Sequence, residues 1–355
     1  MRLYECDHCG QTIHFDNRSC VNCGYRLAFV PEMLAMHALV EDEGEGTWHL
    51  VAEPAHRVRL CANAAMDVCN WTVLADDPHP FCPACRHNRL VPDASTEAGL
   101  NQWRRISQAQ RHLFYSLLCW NLPRTNREED PEGGLVFDFL VDEVKEDGTV
   151  VPAMTGHEDG LIAIRAAEAD DATREQVRAL MNEPYRTMLG HFRHEIGHYM
   201  WDKLVRDGGR LDEFRSVFGD ESLDYAGALR RNYEQGPLPD WQEFFISTYA
   251  STHPWEDFAE TFAHYLHIVD TLETARSYGM SIEPQQHEEL AVEVAFNPYS
   301  AWSAGQLVSA WVPFSVALNS LHRSMGVPDL YPFILTTVVV GKLEFVHRLI
   351  RDRQG

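Results

Sequence analysis

Residues 183–204 read EPYRTMLGHFRHEIGHYMWDKL and contain His194-Glu195-Ile196-Gly197-His198. Pro184 suits the first turn of a helix, no proline follows it up to residue 206, and Asp207-Gly208-Gly209 is a strong stop. On such a helix two imidazoles four residues apart stand one turn apart on the same face. That spacing lets His194 and His198 hold one Zn²⁺, with Glu195 beside them to take a proton from an activated water. Met188, Leu189, Phe192, Tyr199, Met200 and Trp201 make the helix too apolar to lie exposed, which counts against two merely solvated histidines. The chemistry this points to is metal-assisted hydrolysis.

A hydrolytic zinc site needs a third protein ligand and an open position. The extension that supplies a third histidine in metzincins is absent. Trp201 stands at its glycine and Leu204 at its histidine. The downstream candidate is HPWEDFAETFAHYLH, residues 253–267. Glu256 and Glu260 lie one helical turn apart, so one can ligate while the other orients a histidine through its second ring nitrogen. The spacing does not say which. Phe258, Phe262 and Leu266 mark a buried stripe beside the two glutamates. His191, His253, His264 and His267 read as supporting or structural, because a fourth protein ligand would close the site.

Nine cysteines fall into two quartets and one remainder. Cys6, Cys9, Cys20 and Cys23 form two CxxC knuckles around a hairpin, with Gly10 and Gly24 relieving the turns behind the sulfurs. Cys61, Cys69, Cys82 and Cys85 form the second quartet, with a wide first knuckle. Both spacings suit structural Zn²⁺ better than disulfides, and the start MRLYECDHCG lacks the apolar core of a signal peptide. Cys119 reads as a buried core thiol.

The chain has 355 residues, with 30 Lys and Arg against 53 Asp and Glu, a net charge of −23. This balance, and the lack of a basic stripe, argues against nucleic acid as a partner. No apolar run reaches the length of a membrane span, so the expectation is a cytoplasmic protein without membrane contact. The segments read as a zinc ribbon at 1–29, a connection at 30–56, a second ribbon-like module at 57–92 and one larger domain at 93–355. Helices are expected over Glu32–Leu39, 101–120, 211–218, 222–233, 241–250, 253–277 and much of 303–352. Strands are expected over Thr47–Ala52, Leu135–Leu140 and Gly160–Arg165. The fold class is α+β: a mostly helical catalytic-type domain with a small sheet, preceded by two ribbons. The segment Gly160, Leu161, Ile162, Ala163 and Ile164 is expected to offer a sheet edge to an extended peptide.

HEIGH followed by WEDFAETF resembles the gluzincin peptidases, above all the lethal-factor type, in which an ExxxE helix follows HExxH. The whole chain, with its N-terminal ribbon, is similar to a bacterial family of zinc-binding metallopeptidases. The resemblance implies a zincin-like fold, Glu256 as the third ligand to a catalytic zinc and Glu260 supporting it. It also implies Tyr249, seven residues before Glu256, as the oxyanion partner; Tyr199 and Tyr225 are alternatives. The expected function is zinc-dependent hydrolysis of a peptide or protein substrate, with Glu195 as general base and the ribbons as a surface for a protein partner. Two rivals remain at this level: a silent adaptor that keeps the fold, and an amidase or isopeptidase using the same zinc chemistry.

Overall fold

The structure is a computed structural model that describes residues 2–44, 46–181 and 187–353, without the side chains of 177–181. It divides into two units, Met1–Arg174 and Glu175–Gly355.

In the first unit a short ladder of β1 (Tyr4–Glu5) and β2 (Thr12–Ile13) carries the first knuckle. Gly10 and Gly24 both have positive φ, 71° and 78°, and their amides donate to Cys6 O and Cys20 O at 2.9 Å. These are the turns that wrap a thiolate pair, and only glycine adopts them without strain. A meander of five antiparallel strands follows: β3 (Arg26–Val30), β4 (Ala35–Glu41), β5 (Trp48–Leu50), β6 (Arg57–Leu60) and β7 (Thr72–Leu74). Its ends approach each other, since Phe29 N donates to Asn70 O at 2.9 Å and Phe29 bridges Trp71. Ala28, Val30, Leu39, Leu50 and Val58 fill its core.

Residues 30–56 are therefore part of a sheet rather than a connection. The expected helix Glu32–Leu39 is replaced by a turn and β4. Met33 N bonds Val30 O at 3.1 Å, Leu34 takes a φ of 51°, and Ala28 then pairs with His37. Glu, Met, Leu and Ala favour a helix locally, but ladder pairing and burial of Met36, Ala38 and Leu39 outweigh that preference.

α1 (Glu97–Cys119), capped by Thr96 Oγ1 accepting from Gly99 N, packs into this first unit. Tyr115 and His112 of α1 join Phe15 and, for Tyr115, Phe29 in an aromatic cluster that includes Trp71. Buried Arg111 donates to Val68 O, beside Cys69.

A second sheet has the order β12 (Gly156–Glu158), β13 (Leu161–Arg165), β9 (Val136–Leu140), β8 (Asn88–Leu90). β13 pairs antiparallel with β12 and parallel with β9. The segment Gly160–Ile164 is therefore no edge, which corrects the expectation that it offers one to a peptide. Its alternation of buried Ile162 and Ile164 reads the same for an interior as for an edge strand. Gly160, at φ 81°, is required here, because a Cβ would lie 2.6 Å from Gly134 O. A small hairpin, β10 (Glu143–Val144) with β11 (Val150–Val151), precedes β12, and α2 (Asp171–Met181) crosses the division between units.

The second unit is helical: α3 (Met188–Met200), α4 (Leu211–Phe218), α5 (Tyr225–Gln235), α6 (Trp241–Phe244), α7 (Pro254–Ser277), α8 (Ala304–Ser324) and α9 (Thr337–Arg351). A minor ladder, β14 (Ser281–Ile282) with β15 (Val292–Glu293), follows α7. α7 is the central helix, buried on most of its faces and packed by α3, α4, α8 and α9. Phe214, Phe218, Phe258 and Phe345 meet around it. Pro184 lies outside the described residues. α3 is described from its cap, where Thr187 Oγ1 accepts from Gly190 N at 2.9 Å. After Met200 the chain widens into a π-helical turn, with Asp207 N donating to Asp202 O at 2.8 Å.

The helix expected over 241–250 stops at Phe244. Phe245 is extended, and the Phe244 carbonyl accepts from Lys342 Nζ at 2.6 Å instead of continuing the helix. The chain then buries Ile246 and Ser247 and makes a tight turn at Tyr249–Ser251.

Candidate metal centre

α3 and α7 bring three side chains to one point. His194 Nε2 lies 3.2 Å from His198 Nε2, and Glu256 Oε2 lies 3.0 Å from the first and 3.3 Å from the second. Ligands bonded at about 2.05 Å in a tetrahedron stand about 3.3 Å apart, so these separations fit Zn²⁺ with nitrogen and oxygen donors. Glu256 is 1 % exposed and its Oε2, though close to both imidazoles, is aligned with neither as a hydrogen bond. A buried oxygen placed in this way among lone pairs suits a shared cation.

Glu260 stands on the far side of His194 from Glu256. Its Oε1 lies 2.7 Å from His194 Nδ1, and its Oε2 accepts from Ser247 Oγ at 2.6 Å. The Nδ1–H of His194 then donates to Glu260, which leaves the Nε2 lone pair facing Glu256 and His198. Ser247 Oγ also accepts from Ala250 N at 3.1 Å, tying the Tyr249 turn to the same pair. Of the two glutamates, Glu256 faces both imidazoles and Glu260 lies behind one.

Charge follows this geometry. Burial pushes the Glu256 carboxyl up, but His198 and His194 outweigh it and hold it well below the usual range. Burial also raises Glu260, yet the bond and charge of His194 bring it to about 2. Burial would lower His194, but Glu256 and Glu260 carry it well above its ordinary value. The pocket between α3 and α7 thus favours a positive charge.

Glu195 is 7 % exposed, and burial raises its carboxyl above the ordinary value against the opposing charges of His194 and His198. The Tyr249 ring stands 5.7 Å from the His194 ring, and burial keeps its hydroxyl protonated. Tyr225 enters from α5 and donates to Glu256 Oε1 at 2.5 Å. Tyr199 is fully buried, with Lys203 Nζ 5.6 Å from its ring centre. Trp255 covers His198 at 3.9 Å between ring centres.

Three of the other histidines, His253, His264 and His267, take structural posts. His253 caps α7, its Nδ1 accepting from Trp255 N at 3.2 Å. His264 Nδ1 meets Tyr331 Oη at 2.8 Å. Behind α3, buried Arg193 contacts His267 and Asp270, and Asp270 also accepts from Tyr299. Ser247 and the Arg193 group escape a reading by motif, because neither has a distinctive spacing from the histidines.

The two cysteine quartets also converge. Cys6 Sγ is 3.7 Å from Cys23 Sγ, Cys9 Sγ is 3.6 Å from Cys20 Sγ, and Cys69 Sγ is 3.7 Å from Cys82 Sγ. A disulfide needs about 2.05 Å, whereas four sulfurs around Zn²⁺ at about 2.3 Å stand about 3.8 Å apart. In the second quartet Trp71 N and Cys82 N each donate to a sulfur, of Cys69 and Cys61, at 3.4 Å. The wide spacing between Cys61 and Cys69 accommodates a 3₁₀ turn, Ala62–Met66, ended by Asp67 with φ 57°. Among the described residues these three groups are the ones arranged to hold a metal ion. No helix of the described residues is long and apolar enough to cross a membrane.

Comparison with known proteins places these features in a family. The model of a family described as "Putative zinc-binding metallo-peptidase" matches residues 99–349, and a zinc-ribbon domain model matches residues 3–96. The ribbon match spans both quartets and the strands between them. Uncharacterised proteins of Mycobacterium bovis and of two Mycobacterium tuberculosis strains are each 39% identical over 354 residues, covering 99% of this chain and 96% of theirs. No solved structure matches the chain significantly. With most of its length matched, the chain belongs to the family described as putative zinc-binding metallo-peptidases, here with an N-terminal zinc-ribbon domain.

Proposed function

We propose that the protein hydrolyses peptide bonds, with His194, His198 and Glu256 holding a catalytic zinc and the two cysteine quartets holding one structural zinc each. The observation that carries this reading is the meeting of His194 Nε2, His198 Nε2 and Glu256 Oε2 within 3.0–3.3 Å, one residue from a buried glutamate. Zinc bound there supplies Lewis acidity, which activates water and polarises a carbonyl.

The chain's own residues do the rest. Glu195 takes the proton from the attacking water and delivers it to the departing amine. Its burial raises its proton affinity, which suits both halves of that transfer. Tyr249 keeps its hydroxyl proton and donates it as a hydrogen bond to the oxyanion; one such donor is worth roughly 3–4 kcal/mol. Glu260 fixes the tautomer of His194, and Ser247 fixes Glu260. The ribbons support the fold and offer a surface for a protein partner.

The test pairs metal analysis with a peptide library. Wild type is expected to carry about three zincs per chain and to cleave. Glu195→Gln is expected to keep all three and to lose cleavage by roughly 10²–10⁴-fold. Equal cleavage by wild type and Glu195→Gln would refute the glutamate-base mechanism.

A further inference from the structure

Tyr225 Oη lies 2.5 Å from Glu256 Oε1, the oxygen not shared with the two imidazoles. Its position is set from several sides. Tyr225 is the first residue of α5, and Asp224 Oδ1 caps that helix by accepting from Gly227 N at 3.0 Å. Its ring stands 5.2 Å from the His253 ring and 5.8 Å from Trp255, the same tryptophan that covers His198. His253 Nε2 in turn meets Leu223 O at 3.1 Å, just before α5 begins. Of α5 itself only Ala228 is buried, so core packing along the helix does not account for where Tyr225 points.

A carboxylate with both oxygens free can grip a cation with both, which suits larger, higher-coordinate ions. A short bond from a hydroxyl to a carboxylate is among the stronger hydrogen bonds, and here it occupies Oε1. We propose that Tyr225 is a positioning residue that holds Glu256 by Oε1, so that Oε2 alone is presented with His194 and His198 and the site takes a small ion with an open position. This rests on reading that trio as zinc ligands. The proton of Tyr225 is committed to Glu256, and the Tyr225 oxygen in turn accepts a hydrogen bond from the Tyr249 hydroxyl, so the two tyrosines form one chain ending on the ligand carboxylate.

The experiment uses the full-length protein with zinc kept in the cysteine quartets and the histidine site emptied by mild chelation. Zn²⁺ is then titrated against a competing chelator, and Co²⁺ is loaded into the same site for its visible spectrum. Tyr225→Phe keeps the ring and removes the donor. It is expected to bind zinc roughly 10–100-fold more weakly. Its cobalt absorption is expected to weaken, as it does when coordination number rises. 4-Aminophenylalanine at position 225, isosteric with tyrosine and still an N–H donor, is expected to recover most of both signals, which a purely structural role for the hydroxyl's neighbours does not predict. In a Glu256→Gln background, Tyr225→Phe should add no further loss. Unchanged zinc affinity and an unchanged cobalt spectrum in Tyr225→Phe overturn the role of Tyr225 while leaving the zinc reading intact. A wild type that loads no metal beyond the quartets, with Glu256→Ala identical to it, overturns the zinc reading itself and this inference with it.

Discussion

Gly197 of α3 faces Ala259 of α7 across a gap that no side chain fits: a Cβ on Gly197 would lie 2.9 Å from Ala259 Cα and 3.0 Å from its carbonyl oxygen. The glycine between the two histidines is thus a packing requirement as well as a spacer. It lets α7 come close enough to place Glu256 beside both imidazoles. Gly197→Ala adds a methyl against backbone atoms that cannot swing aside. The expected cost is about 1–3 kcal/mol, more than the gain in helix propensity of about 1 kcal/mol from replacing glycine. Thermal unfolding should show a lower Tm, and metal analysis a weakened third site with both quartets still loaded.

The two glutamates of α7 should separate cleanly under substitution. Glu256→Ala removes the oxygen that faces both imidazoles and should empty the histidine site. Glu260→Gln keeps a hydrogen-bonding partner near His194 Nδ1 and should retain the metal with roughly 10–100-fold lower affinity. Zinc content after dialysis, with the cysteine-bound zinc as internal reference, distinguishes them. Loss of the third zinc in Glu260→Gln but not in Glu256→Ala would reverse the assignment.

Acid should destabilise the helical unit through His264. Burial lowers its pKa from 6.5 to about 4, with Glu260 opposing the shift and His194 adding to it. The folded pKa is the lower one, so the folded state binds this proton less readily than the unfolded chain. The stability linked to the neutral ring is complete above pH 6.5 and is lost as pH falls towards 4. Its full size is of order 3 kcal/mol. Unfolding midpoints in denaturant between pH 7 and 4 should flatten in His264→Gln. Parallel curves for wild type and variant would remove His264 from the acid response.

Breaking one cysteine quartet should damage the unit that contains it rather than the histidine site. Cys69 is fully buried beside Trp71 and Arg111, in the same packed unit as the five-stranded sheet. Cys69→Ser should lose one zinc and destabilise the first unit by several kcal/mol, since buried thiolates left without a cation are costly. Limited proteolysis should cut within residues 1–174 before it cuts α3 or α7.

Much of the site is legible along the chain because its logic is local. The spacing of His194 and His198 is one helical turn, and the CxxC knuckles and their glycines are fixed by short-range geometry. Pro254 and His253 also announce the start of α7 correctly, since capping depends on neighbours in sequence. Where distant partners decide, local patterns mislead. Residues Glu32–Leu39 look helical until β3 supplies a ladder for them. The segment 241–250 looks like one helix until Lys342 takes the Phe244 carbonyl.

The sequence by itself therefore determined the helical class of the larger region, the two histidines with Glu195, and the grouping of the eight knuckle cysteines. These follow from spacing within one element or one turn. Spacing left the order of the two glutamates open and the family resemblance implied it; the tertiary structure has Glu256 facing the imidazoles and Glu260 behind His194, and it alone decided that Tyr225 grips Glu256 and that Gly160–Ile164 is an interior strand. Each of these depends on how one element is rotated or paired against another. That choice is set by packing, such as the contact of Gly197 with Ala259, which no local spacing encodes.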